Sequence, residues 1–256
     1  MSKDDKVKKL LEDAHAQGTL SKQALATLDV VDVGAQIQAG LGVTIDDVTA
    51  SEVVLLTMMP DDSSSIACAN NADAVRDGHN FVLDALGASK QAGEVLAHTR
   101  YLNGHVLFPY TALAHATELT PANYDPRNAT PLYDQTCVLL GTVIAKAHEL
   151  AQAGIAVRTV TLIITDGGDY GSTRCKAADV KALVADMLAQ ESHIVAAMGI
   201  SDGSTDFKRV FRDMGIPDRW ILTPGNSASE VRRAFQVFSQ SAVRATQGAA
   251  LGGFTN

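Results

Sequence analysis

The sequence predicts an α/β fold: a doubly wound, mostly parallel central sheet with helices on both faces, Rossmann-like, behind a small N-terminal helical segment. Three observations predict it. Short apolar runs alternate with helical periods of about 10–20 residues from residue 51 onward. The strongest run, residues 157–165, is rich in Val, Ile and Thr and lacks polar alternation, as expected of a strand buried on both faces. Two runs stop at acidic residues, Asp61 and Asp166, and sheets of this kind bind ligands at the carboxyl ends of their strands.

The elements follow in chain order. Val7, Leu10, Leu11 and Ala14 stand at i, i+3, i+4 and i+7, one face of a helix that Gly18 stops. Ser21 caps a second helix carrying Leu25 and Leu28. Gly34, Gly40 and Gly42 are then expected to break regular structure. Residues 1–48 read as a helical extension packed on the body, with a docking arm for another protein as the alternative. Lys3, Lys6, Lys8 and Lys9 interleave with Asp4, Asp5, Glu12 and Asp13, a solvated helix face rather than a nucleic-acid patch.

Residues 53–59 form a strand that ends at Pro60-Asp61-Asp62, and 72–87 a helix with Ala74, Phe81, Val82, Ala85 and Leu86 apolar. Residues 95–101 and 105–108 read as two strands around the turn signal Asn103-Gly104. A long polar stretch, 116–129, precedes Pro131, which suits the first turn of a helix with Leu132, Leu139, Val143, Ala147 and Leu150 on its apolar face. After strand 157–165 come a helix at 176–190, a strand at 193–199, a helix at 205–214, a short strand at 219–222 and a last helix at 227–245. The body is assigned to 49–246, and 247–256 to a C-terminal tail.

Composition narrows the function. The 256 residues are 46% hydrophobic and 20% charged, which is globular rather than disordered. A net charge of −8 disfavours nucleic acid and anionic membrane surfaces as partners. No run reaches the roughly 18 apolar residues of a membrane span. The first residues lack the apolar core of a signal peptide, so a cytoplasmic protein is expected. Cys68, Cys137 and Cys175 cannot all pair within one chain and match no CxxC site; they read as reduced thiols.

Three motifs carry chemistry. Asp61-Asp62-Ser63-Ser64-Ser65 contains D-x-S-x-S, and alternate residues of a loop turn Asp61, Ser63 and Ser65 toward one side. One carboxylate and two hydroxyls are hard ligands, suited to Mg²⁺ or Mn²⁺. Thr130, before Pro131, reads on its own as a helix N-cap. Asp166 follows a buried strand and precedes Gly167-Gly168, the setting of a turn or of a ligand.

Taken in order, D-x-S-x-S, then Thr130-Pro131-Leu132-Tyr133-Asp134, then an apolar strand ending Thr165-Asp166-Gly167, the sequence resembles the von Willebrand factor A (vWA) domain family. The resemblance spans roughly residues 50–245 and implies a metal-ion-dependent adhesion site (MIDAS) made by Asp61, Ser63, Ser65, Thr130 and Asp166. It further implies Mg²⁺ or Mn²⁺, with some carboxylate contacts through water. Its expected function is non-catalytic binding of a partner protein that offers an Asp or Glu to an open metal position. The residues Phe235-Gln236-Val237-Phe238-Ser239-Gln240-Ser241 are similar to the ending of stand-alone bacterial cytosolic members of the tellurium-resistance type. Such relatives work with AAA+ ATPases or stress-response complexes. The chain departs from the family pattern at Asp62, an added charge; at Ile66, where Met is frequent; and at Asn128-Ala129, where Gly-Gly is frequent.

The alternative from another class is a Mg²⁺-dependent phosphatase or hydrolase of doubly wound fold. Dehalogenase-type phosphatases need D-x-D, and Ser63 stands at the second position. GxSxG, GxxxxGK[ST] and HExxH are absent. A general base would have to be Asp62 or Asp169. Ser201-Asp202-Gly203-Ser204 reads as a turn, and Ser227 as the cap of the last helix.

Overall fold

The computed structural model describes residues 3–29, 31–248 and 252–254. Three helices open the chain: α1 (Lys3–Ala16), α2 (Lys22–Leu28) and α3 (Val31–Gly40). Then come β1 (Glu52–Met59), α4 (Ser64–Cys68), α5 (Ala72–Gly87), β2 (Val95–Arg100), β3 (Val106–Ala112) and α6 (Leu132–Gln152). The second half holds β4 (Ala156–Thr165), α7 (Ala177–Ala189), β5 (His193–Gly199), α8 (Phe207–Asp213), β6 (Ile221–Leu222) and α9 (Ala228–Thr246).

The sheet runs β3-β2-β1-β4-β5-β6, parallel except that β3 is antiparallel to β2. The Asn103-Gly104 turn makes that exception: Gly104 has φ +94°, a backbone state glycine adopts without steric cost, and it lets the chain reverse at once. Every other connection crosses over through a helix. Chain order therefore reverses between the neighbours β1 and β4, the two central strands. That is the switch point, where the loops leaving the strands part and open a crevice. Helices α5 and α9 pack together on one face; α6 and α7 cover the other.

β1 is buried from Val53 onward and β4 over its last seven residues, as their unbroken apolar character requires. In the β1–β4 register Met59 lies opposite Ile163. Just beyond this pair, the Thr165 hydroxyl and the Asp166 N–H both donate to Asp61 Oδ2.

The N-terminal helices form a further layer, α1 and α3 on α6 and α2 on α7. Val7, Leu10, Leu11 and Ala14 are all buried, as their spacing predicted. Ser21 caps α2, its hydroxyl accepting from the Ala24 N–H. Of the charged cluster, Lys6 pairs with Glu149 and Lys8 with Glu12 and Asp29, while the side chains of Lys3, Asp4 and Asp5 lie outside the described residues. The expected break at Gly34 and Gly40 is corrected: both belong to α3. A Cβ on Gly40 would stand 2.7 Å from the Thr142 methyl, so this glycine permits close helix packing instead. Gly42 does end regular structure, with φ +61° and the Tyr110 backbone where a Cβ would go.

Smaller differences are local. Ser64–Cys68 is a short helix absent from the sequence reading. The strand expected at 219–222 is reduced to Ile221–Leu222, because Asp218–Trp220 closes as a 3-10 turn. The N-cap of α6 is Pro131 rather than Thr130, and no side chain caps it. Ser227 caps α9 as expected, and Asp202 closes its turn by accepting from the Ser204 and Thr205 amides. Of the 247–256 tail, residues 249–251 and 255–256 lie outside the described residues, and the Phe254 ring sits edge-on against Trp220.

Candidate metal centre

The carboxyl ends of β1 and β4 bring Asp61, Ser63, Ser65 and Asp166 into one hydrogen-bonded set. The Ser65 hydroxyl donates to Asp166 Oδ1 at 2.6 Å, and Ser63 Oγ lies 2.9 Å from Ser65 Oγ and 3.5 Å from the same carboxylate oxygen. Asp61 is held from two sides. Its Oδ1 accepts from the Ser63 N–H at 2.7 Å, and its Oδ2 from the Thr165 hydroxyl at 2.7 Å and the Asp166 N–H at 3.4 Å. The loop after β1 is thus tied to the end of β4 through one buried carboxylate.

Thr130 reaches the same crevice through its backbone. Asn128 pairs in parallel with Ser63, and Thr130 pairs antiparallel with Tyr170. The Thr130 N–H donates to the Tyr170 carbonyl at 3.1 Å, and the return bond is 2.8 Å. Residues 128–130 therefore lie as a short ribbon between the loop after β1 and the loop after β4. This explains how a threonine so distant in sequence comes beside both acidic loops.

Sequence reasoning missed the supports of these groups. Asp62 is buried; its carboxylate accepts from the Asn103 N–H at 2.9 Å and from Asn128 Nδ2 at 2.7 Å. It joins the hairpin turn to the 128–130 ribbon. The Tyr124 hydroxyl donates to the Asp61 carbonyl, anchoring the polar stretch below the site. Asp134 accepts from the Thr173, Arg174 and Cys175 amides and fastens the loop after β4 to the first turn of α6. Asp169 accepts from the Tyr133 N–H at 3.1 Å and the Ser172 hydroxyl at 2.5 Å. Thr165, Asp62 and Asp134 stood in or beside the motifs, but their sequence positions gave no sign of the groups they would bind.

The electrostatics favour a cation. Asp61 and Asp166 are 0% and 4% exposed, and the ion pairs among the described residues include neither. Burial pushes both carboxyls above their ordinary range, Asp166 to about 6, with the neighbouring Asp61 charge adding to the rise there. The donor set fits a hard divalent ion: carboxylate and hydroxyl oxygens, with no nitrogen or sulfur. No cluster of three or more His, Cys, Asp or Glu side chains able to hold a metal occurs among the described residues, so a metal here would depend on the serine and threonine hydroxyls.

Fold and site together define a doubly wound α/β protein with hard-oxygen donors gathered at its switch point. No protein-family model matches the sequence. No curated protein matches it either. Among solved structures, the chain is similar to proximal thread matrix protein 1 (PTMP1) from the mussel byssus, with TM-score 0.52 and 17% identity over 75% of this chain and 48% of that one. The pilus adhesin SpaC from Lactobacillus rhamnosus GG gives TM-score 0.52 and 13% identity over 77% of this chain and 30% of that one. The SpRpn10 VWA domain gives TM-score 0.49 and 10% identity, over 71% of this chain and 93% of that one. The chain spans about half or less of the PTMP1 and SpaC structures. At these identities the likeness is one of fold.

Proposed function

We propose that this chain is a vWA-type, metal-dependent protein-binding module. The observation that carries the reading is the hydrogen-bonded set of Ser63, Ser65 and Asp166, joined through Asp61 across the two central strand ends. Ser63, Ser65, Thr130 and Asp166 would hold Mg²⁺ or Mn²⁺, and Asp61, bonded to the protein through both oxygens, would act through bound water. The ion would supply a directional bond to an Asp or Glu of a partner protein. The surrounding loops would then set specificity, and the side chain best placed for that is Tyr170, 78% exposed on the residue that pairs with Thr130.

The module is non-catalytic. Asp62 and Asp169, the two candidates for a general base, both have their carboxylates engaged by backbone amides and neighbouring side chains. We place the protein in a bacterial cytoplasm, in a multi-protein system with an AAA+ ATPase or a stress complex, on the sequence resemblance alone, and extend that to the tellurium-resistance type. No helix of the described residues is long and apolar enough to cross a membrane.

A pull-down from native lysate tests the reading. Tagged protein is washed with Mg²⁺ or with EDTA beside an Asp61→Ala/Thr130→Ala double variant. A partner retained by Mg²⁺ and lost in both other lanes is the expected result. Equal retention in all three lanes would place recognition elsewhere, and sustained phosphoester turnover abolished by Asp61→Ala would make the protein an enzyme.

A further inference from the structure

Two of the three cysteines meet in space. Cys137 lies in the second turn of α6, three residues after Asp134 and so on the same helix face. Asp134 Oδ1 holds the Cys175 N–H at 2.6 Å. The backbone of Cys175 is thereby held beside the first turns of α6, and the two thiol side chains lie close enough to interact. Cys137 is fully buried; Cys175 is 7% exposed and lines a surface cavity of about 330 Å³ with Gln23, Thr27, Arg174 and Asp179. Cys175 thus borders the cavity, whereas Cys137 is enclosed.

We propose that Cys137 and Cys175 form a reversible dithiol–disulfide site, oxidised by a low-molecular-weight disulfide entering the cavity over Cys175. The Cys175 thiolate attacks one sulfur of the small disulfide, forming a mixed disulfide and releasing the first small thiolate. The Cys137 thiol then gives up its proton and attacks Cys175 Sγ; the second small thiolate leaves and takes up the proton. Two protein thiols are oxidised and one small disulfide is reduced to two thiols. The order follows from access and from charge. Contact with Cys137 and the nearby Arg174 lower the Cys175 pKa, whereas Cys137 is raised by that contact and by burial. The bond would staple the loop that carries Asp166 and Tyr170 to the helix that follows Thr130. The chemistry does not depend on the metal reading, since neither sulfur belongs to that site.

The test treats the native protein with bis(2-hydroxyethyl) disulfide at neutral pH, alkylates the remaining thiols and maps peptides by mass spectrometry. The expected product is a Cys137–Cys175 crosslink, reversed by dithiothreitol, with the exposed Cys68 carrying at most a mixed disulfide. In Cys137→Ser, with Cys137→Ala as a second variant checked for folding by circular dichroism, the reaction stops at a mixed disulfide on Cys175. In Cys175→Ser, Cys137 stays unmodified. A crosslink that forms only in urea, or a Cys137 modified ahead of Cys175 in the native protein, overturns the proposal. In a Cys68→Ser background, oxidation is expected to slow amide exchange at residues 172–176 at least tenfold; unchanged exchange overturns the staple.

Discussion

Both oxygens of Asp61 are committed to the protein, and the Thr165 hydroxyl donates to Oδ2 at 2.7 Å. Thr165→Val keeps the shape and removes that donor. Mg²⁺ affinity, read by calorimetric titration, is expected to fall roughly 10–100-fold, the usual effect of losing an outer-sphere partner. Asp166 gives a pH prediction. Its carboxyl sits near 6 in the metal-free fold against 3.8 in the unfolded chain, so between these values the folded state keeps a proton that the unfolded state has lost. Metal-free stability therefore declines as pH rises through this window, by up to about 3 kcal/mol at 1.36 kcal/mol per unit. Asp166→Asn should raise metal-free stability at pH 7.5 by roughly 1–3 kcal/mol and reduce that slope, the remainder coming from Asp61 and Asp62, which burial also raises, while abolishing any stabilisation by Mg²⁺. Urea unfolding in EDTA at pH 5 and pH 7.5 measures the first effect; repetition with Mg²⁺ measures the second.

At the scale of elements, the site depends on how loops are fastened to rigid pieces. The loop after β4 is gathered around the Asp134 carboxylate, which accepts three successive amides and lies beside the Arg174 guanidinium at 3.7 Å. Asp134→Ala leaves those amides unpaired in a mostly buried place. A loss of about 2–4 kcal/mol is expected in chemical denaturation, with faster amide exchange at 172–176. On the opposite face α5 and α9 cross so closely that a Cβ on Gly78 would fall 2.0 Å from the Phe235 ring. Gly78→Ala forces that ring aside and is expected to cost about 1–3 kcal/mol, visible as a lower thermal midpoint. The strands and long helices here were legible because their periodicity survives packing. Gly40 of α3 is not legible in this way, because a glycine that breaks a helix and one that admits a neighbouring helix look alike in sequence, and Gly34 sits in the same helix with open space around it.

At the scale of the molecule, the N-terminal layer is bound to the body by a buried charge group. Glu149 accepts from Lys6 of α1 at 2.5 Å and from the buried Lys146 at 2.8 Å, while Lys146 also donates to the Val43 carbonyl. Removing the carboxylate leaves Lys146 buried without its counter-charge. Glu149→Ala is expected to cost about 3–5 kcal/mol, and limited proteolysis should then cut first between α1 and β1. By itself, the sequence determined the alternation of elements, the hairpin that reverses β3, and the oxygen-bearing residues at the ends of β1 and β4. These follow from periodicity, turn chemistry and short spacings, which act locally. Only the tertiary structure decided that β1 and β4 are neighbours at the switch point, that residues 128–130 bridge their loops, that Asp62 and Asp134 serve as fasteners, and that Cys137 and Cys175 come near each other. Each of those depends on which distant backbone groups face a side chain, and strand order and helix packing fix that only when the whole chain has folded.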